Sequence, residues 1–398
     1  MSEPIPVTVL SGSLGAGKTT TLNRVLNSSE DLNAAVVVND MGEVNVDAEL
    51  VERESTLGDG EEIIELSNGC ICCRLRGDML EEIGRLAEKR EFDYLLVESS
   101  GISEPIPVAQ TFAMGFEDAE FDPRGVYELD TMVSVCDAHT LWQAFESGNA
   151  LVGDGESSGP SQPEEVLMDQ IEFCDVLLLN KCDLVPDESL SEIESVLRTL
   201  QPRAKLIRTE HGGVDPAEIL DTGRFDFDEA SRSAGWIAEL DGHDHGAAAE
   251  EHGVTSFTYR AKRPFRPERI EALFQSMPEE VIRAKGFFWS AGREDIGMGL
   301  NVAGQSVRAG PGGRWVATLP EEQRERFLER QPSLREEWDE QWGDRGIELV
   351  FIGPGLNEEN LRERLDECLL SDEEMGEDWE TFPDPFATEG EKELALAD

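Results

Sequence analysis

Short apolar runs alternate with stretches of helical spacing through the first half of the chain. Val7–Leu10, Ala34–Asn39, Tyr94–Val97, Thr131–Asp137, Val176–Asn180 and Lys205–Arg208 read as strands, most of them apolar on both faces. Strands covered by two layers have that pattern. Between them, Leu75–Arg90 and Ser189–Leu200 repeat their apolar residues as amphipathic helices do. The alternation predicts an α/β domain over residues 1–225, with a mostly parallel sheet and helices on both faces. Ligands of such sheets gather at the carboxyl ends of the strands. Gly153–Pro163 reads as a turn-rich surface insertion.

After Phe227 the pattern changes. Residues 226–253 form an acidic, small-residue stretch carrying His243, His245 and His252, which is read as a linker. Its imidazoles and carboxylates suit weak metal capture and an ordinary solvated loop alike. Residues 254–371 predict a smaller α+β domain. Its strand signals are Thr255–Tyr259, Gly286–Ala291, Arg314–Thr318 and Ile347–Ile352. Its helix signals are Pro267–Gln275 and Glu358–Leu370, the second with Asn357 as cap. Trp289, Trp315, Trp338 and Trp342 read mainly as core residues of this domain. Beyond Leu370, eleven acids and one lysine in 28 residues predict a disordered acidic tail over 372–398.

Charge narrows the choice of partner and compartment. The 398 residues carry 85 acids against 34 bases, a net charge of −51, and only seven of the bases are lysine. A surface that acidic stays hydrated when molar salt shortens screening to ~3 Å, so a halophilic, salt-rich cytoplasm is expected. No basic face is available to release counterions, which argues against nucleic acid as a partner. Apolar runs fall far short of the ~20 residues that span a bilayer, and the start, Met1-Ser2-Glu3-Pro4, lacks a signal-peptide core. No membrane partner is expected. Seven cysteines, three of them bunched, suit a reducing cytosol better than a disulfide framework. Cys136, Cys174, Cys182 and Cys368 read as packing residues.

Directly after the first strand stands Gly12-Ser13-Leu14-Gly15-Ala16-Gly17-Lys18-Thr19-Thr20, with a helix expected from Thr19 to Asn27. Strand, G-x-x-x-x-G-K-T and helix together form a phosphate-binding loop. Gly12, Gly15, Ala16 and Gly17 turn backbone N–H groups toward phosphate oxygens. Lys18 reaches the β- and γ-phosphates, and the Thr19 hydroxyl suits Mg²⁺. Asn180-Lys181-Cys182-Asp183 closes a buried strand 162 residues after Lys18. A carboxylate at Asp183 can accept from guanine N1–H and its amino group, whereas adenine would leave it unpaired. Lys181 would lie along the base and Asn180 would pin the loop. GTP is therefore the expected nucleotide. Glu98, at the end of Tyr94–Val97, is placed to hold the Mg²⁺ shell or orient the attacking water, and Gly101 to leave room for the γ-phosphate. A small-molecule kinase is the rival reading, and the guanine-reading loop argues against it.

Cys70-Ile71-Cys72-Cys73 follows Ile63–Leu66 and the turn Ser67-Asn68-Gly69. Three thiols in four residues can ligate a soft or borderline ion, with a fourth ligand from elsewhere. A purely structural cysteine cluster in a GTPase regulator or assembly factor is the alternative.

Together these motifs resemble the CobW-type metallochaperone GTPases, with the phosphate loop, Gly69-Cys70-Ile71-Cys72-Cys73, Glu98-Ser99-Ser100-Gly101 and Asn180-Lys181-Cys182-Asp183 in the family's order. The resemblance continues through Asn39-Asp40-Met41-Gly42-Glu43, Gln170-Ile171-Glu172-Phe173 and Lys285-Gly286-Phe287, spanning Val7 to Asp372. It implies a P-loop NTPase fold and GTP-dependent delivery of Zn²⁺, or Co²⁺ as in cobalamin synthesis, to a client metalloprotein. It also implies Cys72 and Glu43 as metal ligands, with Cys70 and Cys73 sharing the site. The chain departs from the family where Asn-Asp-Met-Gly replaces the usual Asn-Glu-Phe-Gly, and where Val38 stands at a position acidic in some members.

Overall fold

A computed structural model describes residues 3–28, 33–40, 62–67, 75–89, 92–114, 121–147, 163–240, 254–336 and 338–387. The chain divides into two compact units, Met1–Ala238 and Glu239–Asp398.

The first unit is built on seven strands: β1 (Ile5–Ser11), β2 (Ala34–Asp40), β3 (Glu62–Ser67), β4 (Tyr94–Glu98), β5 (Tyr127–Asp137), β6 (Val176–Asn180) and β7 (Lys205–Arg208). They lie in the order β3-β2-β4-β1-β5-β6-β7, every pair parallel. The strand alternation then sends side chains to two separate cores. Val7, Val9, Val37, Leu95 and Val97 pack against Ile83 and Leu86 of α2 (Leu75–Lys89) and Val108 and Phe112 of α3 (Pro105–Ala113). Leu10, Val36, Val38, Leu96, Val133 and Leu178 pack on the opposite face against Leu22 and Val25 of α1 (Lys18–Ser28). Each such aliphatic side chain contributes about 1.5–3 kcal/mol on burial. The α/β class expected from the alternation is the class observed.

Further helices of this unit are α4 (Ala138–Ser147), α5 (Pro163–Glu172) and α6 (Asp187–Leu200). Residues 226–240, read from sequence as part of a linker, instead form α7 (Phe227–Ala230) and α8 (Gly235–Leu240). Ala230 joins the β1 core, and Ser233 Oγ donates to the Glu172 carbonyl at 3.2 Å. Acidic composition concealed this short packed stretch. His243, His245 and His252 lie outside the described residues, as do residues 153–162 of the insertion.

The second unit carries an antiparallel five-stranded sheet in the order β11-β10-β9-β12-β8. Its strands are β8 (Val254–Ala261), β9 (Arg283–Phe288), β10 (Ile296–Ala303), β11 (Ser306–Arg314) and β12 (Ile347–Pro354). Ile270 and Phe274 of α9 (Pro267–Gln275) and Leu361 and Leu365 of a later helix (Glu358–Cys368) share its core with Phe288, Met298 and Phe351. Asn357 caps that helix, its side chain accepting from Asn360 N at 3.0 Å.

Two expectations for this unit are corrected. The strand expected at Arg314–Thr318 is the end of β11 followed by a 3-10 turn, Val316–Thr318. Residues 372–387 of the expected disordered tail are packed: Trp379 and Phe382 are buried, and Trp379 lies against Trp289 and Trp342. The acids that suggested disorder meet arginines, Glu374 pairing with Arg266 at 3.0 Å and Asp384 with Arg293 at 2.8 Å.

Candidate nucleotide site

The phosphate loop leaves the carboxyl end of β1 and runs directly into α1. Gly12, Gly15 and Gly17 have φ of +136°, +77° and +105°. A methyl group at Gly12 would come 2.2 Å from the Val135 carbonyl oxygen, and one at Gly17 would come 2.4 Å from Asn180 Nδ2. These two glycines are needed for both conformation and space. Ala16 is fully buried, whereas Leu14 is 87% exposed and Thr20 is exposed. Lys18 curls back over its own loop, Nζ donating to the carbonyls of Gly12 at 3.0 Å and Ser13 at 3.2 Å.

Glu98 ends β4, beside Leu10 of β1 in the register, and is buried. Thr19 Oγ1 donates to Glu98 Oε1 at 2.8 Å. A hydroxyl and a carboxylate side by side are hard oxygen donors, a set that fits Mg²⁺ and not a soft ion. Gly101 lies close against the phosphate loop, where a methyl would sit 2.6 Å from Leu14 N.

On the other side, Asn180 ends β6. Its Nδ2 donates to the Ala16 carbonyl at 2.9 Å, while its Oδ1 accepts from Thr209 Oγ1 at 3.1 Å and Gly212 N at 2.9 Å. Lys181 sits in the left-handed region at φ +62°, and its Nζ donates to Asp137 Oδ2 at 2.7 Å. Asp183 Oδ2 has His211 Nε2 at 3.9 Å. Thr209, His211, Gly212 and Asp137 were not singled out from sequence. The doublet Gly212-Gly213 after β7 was the available signal. Gly212, at φ +71°, leaves no room for a methyl against Thr21 N, which would lie 2.8 Å away.

Glu43, Cys70, Cys72 and Cys73 lie outside the described residues. The last described residues before them are Asp40 and Ser67, which end β2 and β3 and are register partners. Among the described residues no group of three or more His, Cys, Asp or Glu side chains could hold a metal ion. Cys136, Cys174, Cys182 and Cys368 are free and buried. Burial pushes the Cys136 thiol up to about 12 and the Cys368 thiol up to about 11, and raises Cys174 and Cys182 as well. Thiols so raised stay protonated near neutrality and make poor ligands or nucleophiles. Among the described residues no helix is long and apolar enough to cross a membrane.

Residues 6–208 match the family model of the CobW/HypB/UreG nucleotide-binding domain, and residues 254–369 that of the cobalamin synthesis protein cobW C-terminal domain. The chain is similar to zinc-regulated GTPase metalloprotein activator 1 of Dictyostelium discoideum, at 41% identity over 98% of this chain and 86% of that protein. It is also similar to the zinc chaperone YjiA of Escherichia coli strain K12, at 26% identity over 90% of this chain and 97% of that one. The crystal structure of zinc(II)-bound YjiA aligns at 20% identity and a TM-score of 0.41, covering 93% of this chain and 100% of that one.

Proposed function

The chain belongs to the CobW/HypB/UreG family of P-loop GTPases, and on that premise we propose that it couples GTP binding and hydrolysis to the binding and delivery of a transition metal, zinc foremost, to a client protein. The names of its relatives support zinc over the cobalt of cobalamin synthesis. The observation that carries the reading is the junction of β2 and β3. Asp40 and Ser67 end these neighbouring strands as register partners, and Val38 of β2 pairs in turn with Glu98. Along the chain, Glu43 follows Asp40 by three residues and Cys70 follows Ser67 by three. The segment carrying Glu43 thus follows the strand beside the one that holds Glu98, and the segment carrying the cysteines follows the next strand out.

In this reading Asp183 selects guanine, Lys181 lies along the base, and Asn180 ties the base loop to the phosphate loop. Lys18 and the N–H groups of Gly15 to Thr20 hold the phosphates. Glu98 and Thr19 would hold Mg²⁺, which when bound neutralises phosphate charge. Hydrolysis breaks the bond between the γ-phosphorus and the β–γ bridging oxygen as water adds, giving GDP and phosphate, with Glu98 orienting that water. Coupling of the γ-phosphate to the proposed ligands Glu43 and Cys72 is the step that changes metal affinity, as γ-phosphate contacts act on switch loops generally.

The sequence supplies no recognisable arginine finger, so unassisted turnover is expected at about 10⁻⁴ to 10⁻² s⁻¹. Phosphate release, measured in high-salt buffer with zinc, cobalt and nickel compared, tests the reading. Zinc should alter the rate most. Turnover indifferent to all three metals, in a protein purified without bound metal and with its thiols reduced, would leave only a nucleotide switch.

A further inference from the structure

Asp137, the last residue of β5, belongs to none of the nucleotide motifs, yet it touches one of their side chains. Its Oδ1 accepts from the N–H groups of His139 at 2.9 Å and Thr140 at 3.2 Å, in the first turn of α4. Its Oδ2 accepts from Lys181 Nζ at 2.7 Å. It is also the register partner of Asn180, the residue just before Lys181.

We propose that Asp137 is a positioning residue for guanine binding, acting through Lys181; this rests on the guanine-site reading above. The physical case is preorganisation. A lysine stem on a mobile backbone loses much rotamer freedom when a base is laid along it. Here the backbone of Lys181 is held in the left-handed region at φ +62°, and the far end of its stem is held by a carboxylate. That carboxylate does not wander, because two helix N–H groups and the positive end of α4 fix it. The pair is only partly removed from water, with Asp137 11% and Lys181 33% exposed at the side chain. Its direct contribution to stability is therefore small, and its value lies in ordering the stem before the nucleotide arrives. Such ordering assists ground state and transition state equally, so it acts on KM and leaves kcat alone.

Asp137→Asn isolates the effect, since asparagine caps a helix as well as aspartate does while removing the charge. Asp137→Ser is the second variant, also a good cap, should the first fold poorly. Affinities for GTP and ATP, and the KM and kcat of GTP hydrolysis, are measured for wild type, each variant, Lys181→Gln and the double variant. The expected result is a GTP Kd and KM raised roughly three- to tenfold with kcat unchanged. The double variant should be no worse than Lys181→Gln alone. A folded Asp137→Asn protein binding GTP as wild type does, or additive losses in the double variant, overturns the proposal. Wild type that fails to prefer GTP over ATP overturns the guanine reading instead, a result the ATP measurement distinguishes.

Discussion

Asn180 Nδ2 donates to the carbonyl oxygen of Ala16 across 164 residues of chain, joining the base loop to the phosphate loop at 2.9 Å. The same side chain accepts from Thr209 Oγ1 and Gly212 N, so three separate loops meet on one buried amide. Asn180→Ala leaves those partners without it in a site closed to water. The expected cost is about 2–4 kcal/mol, read as a lowered melting temperature. Asn180→Asp keeps the acceptor for Gly212 N but sets a carboxylate oxygen against the Ala16 carbonyl, so it should not rescue. A melting temperature within a degree of wild type for either variant would show that the loops are held by something else.

Gly12 and Gly15 should respond differently to the same substitution. In Gly12→Ala the new methyl meets the backbone of Val135 at 2.2 Å, and the β1–β5 pairing must give way. A loss of about 3 kcal/mol or more is expected from that clash and the positive φ together. Gly15 has nothing within 4 Å of its would-be methyl, and only its φ of +77° opposes the change. There the expected loss is about 1 kcal/mol. Denaturant midpoints of the two variants, without nucleotide, check the difference; equal losses would contradict it.

Asp175 gives the first unit a pH dependence near neutrality. Burial pushes its carboxyl up to about 6, against a backbone hydrogen bond from Met132 N that pulls it down and with the Asp130 carboxylate adding to the rise. A carboxyl raised on folding favours the folded state while it is protonated. Its contribution is complete below pH ~4 and is lost as pH rises through about 6. Asp175→Asn can still accept from Met132 N and carries no charge to desolvate. It should stabilise the protein by about 1–3 kcal/mol at pH 8 and make no difference near pH 4. Melting curves across that range test this; a variant equally destabilised at both ends would refute it.

Much of the first unit was legible because its strands are apolar on both faces and its phosphate loop needs glycine for steric reasons. Val7–Leu10, Tyr94–Val97 and Val176–Asn180 all appear where the pattern put them. The second unit was less legible. The β10–β11 hairpin carries Gly297, Gly299, Gly310, Gly312 and Gly313, residues that lower strand propensity and blur alternation. Acidic composition also hid the packed segment after Leu370, since a window of sequence cannot reveal that Arg266 and Arg293 wait elsewhere in the chain for Glu374 and Asp384. In the site, motif residues were found by spacing, but Asp137, Thr209 and His211 were not. They contact side chains of the motif, a relationship that exists only once the strands are side by side.

The surface charge carries its own expectation. With 85 acids against 34 bases, self-repulsion should destabilise the chain in dilute buffer and fade as salt screens it. Melting temperature should climb steadily from tens of millimolar to molar KCl. A protein as stable at low salt as at high salt would remove the reading of a salt-adapted surface.

Binding free energies at two coupled sites are reciprocal, so a metal whose affinity depends on GTP must itself change GTP affinity. The most direct measurement is GTP affinity with and without saturating zinc, in reduced wild-type protein and in Cys72→Ala. A shift of roughly fivefold or more in wild type, abolished in Cys72→Ala, is the predicted result. Zinc that leaves GTP affinity unchanged, with Cys72→Ala indistinguishable from wild type, would contradict the coupling on which the proposed function stands.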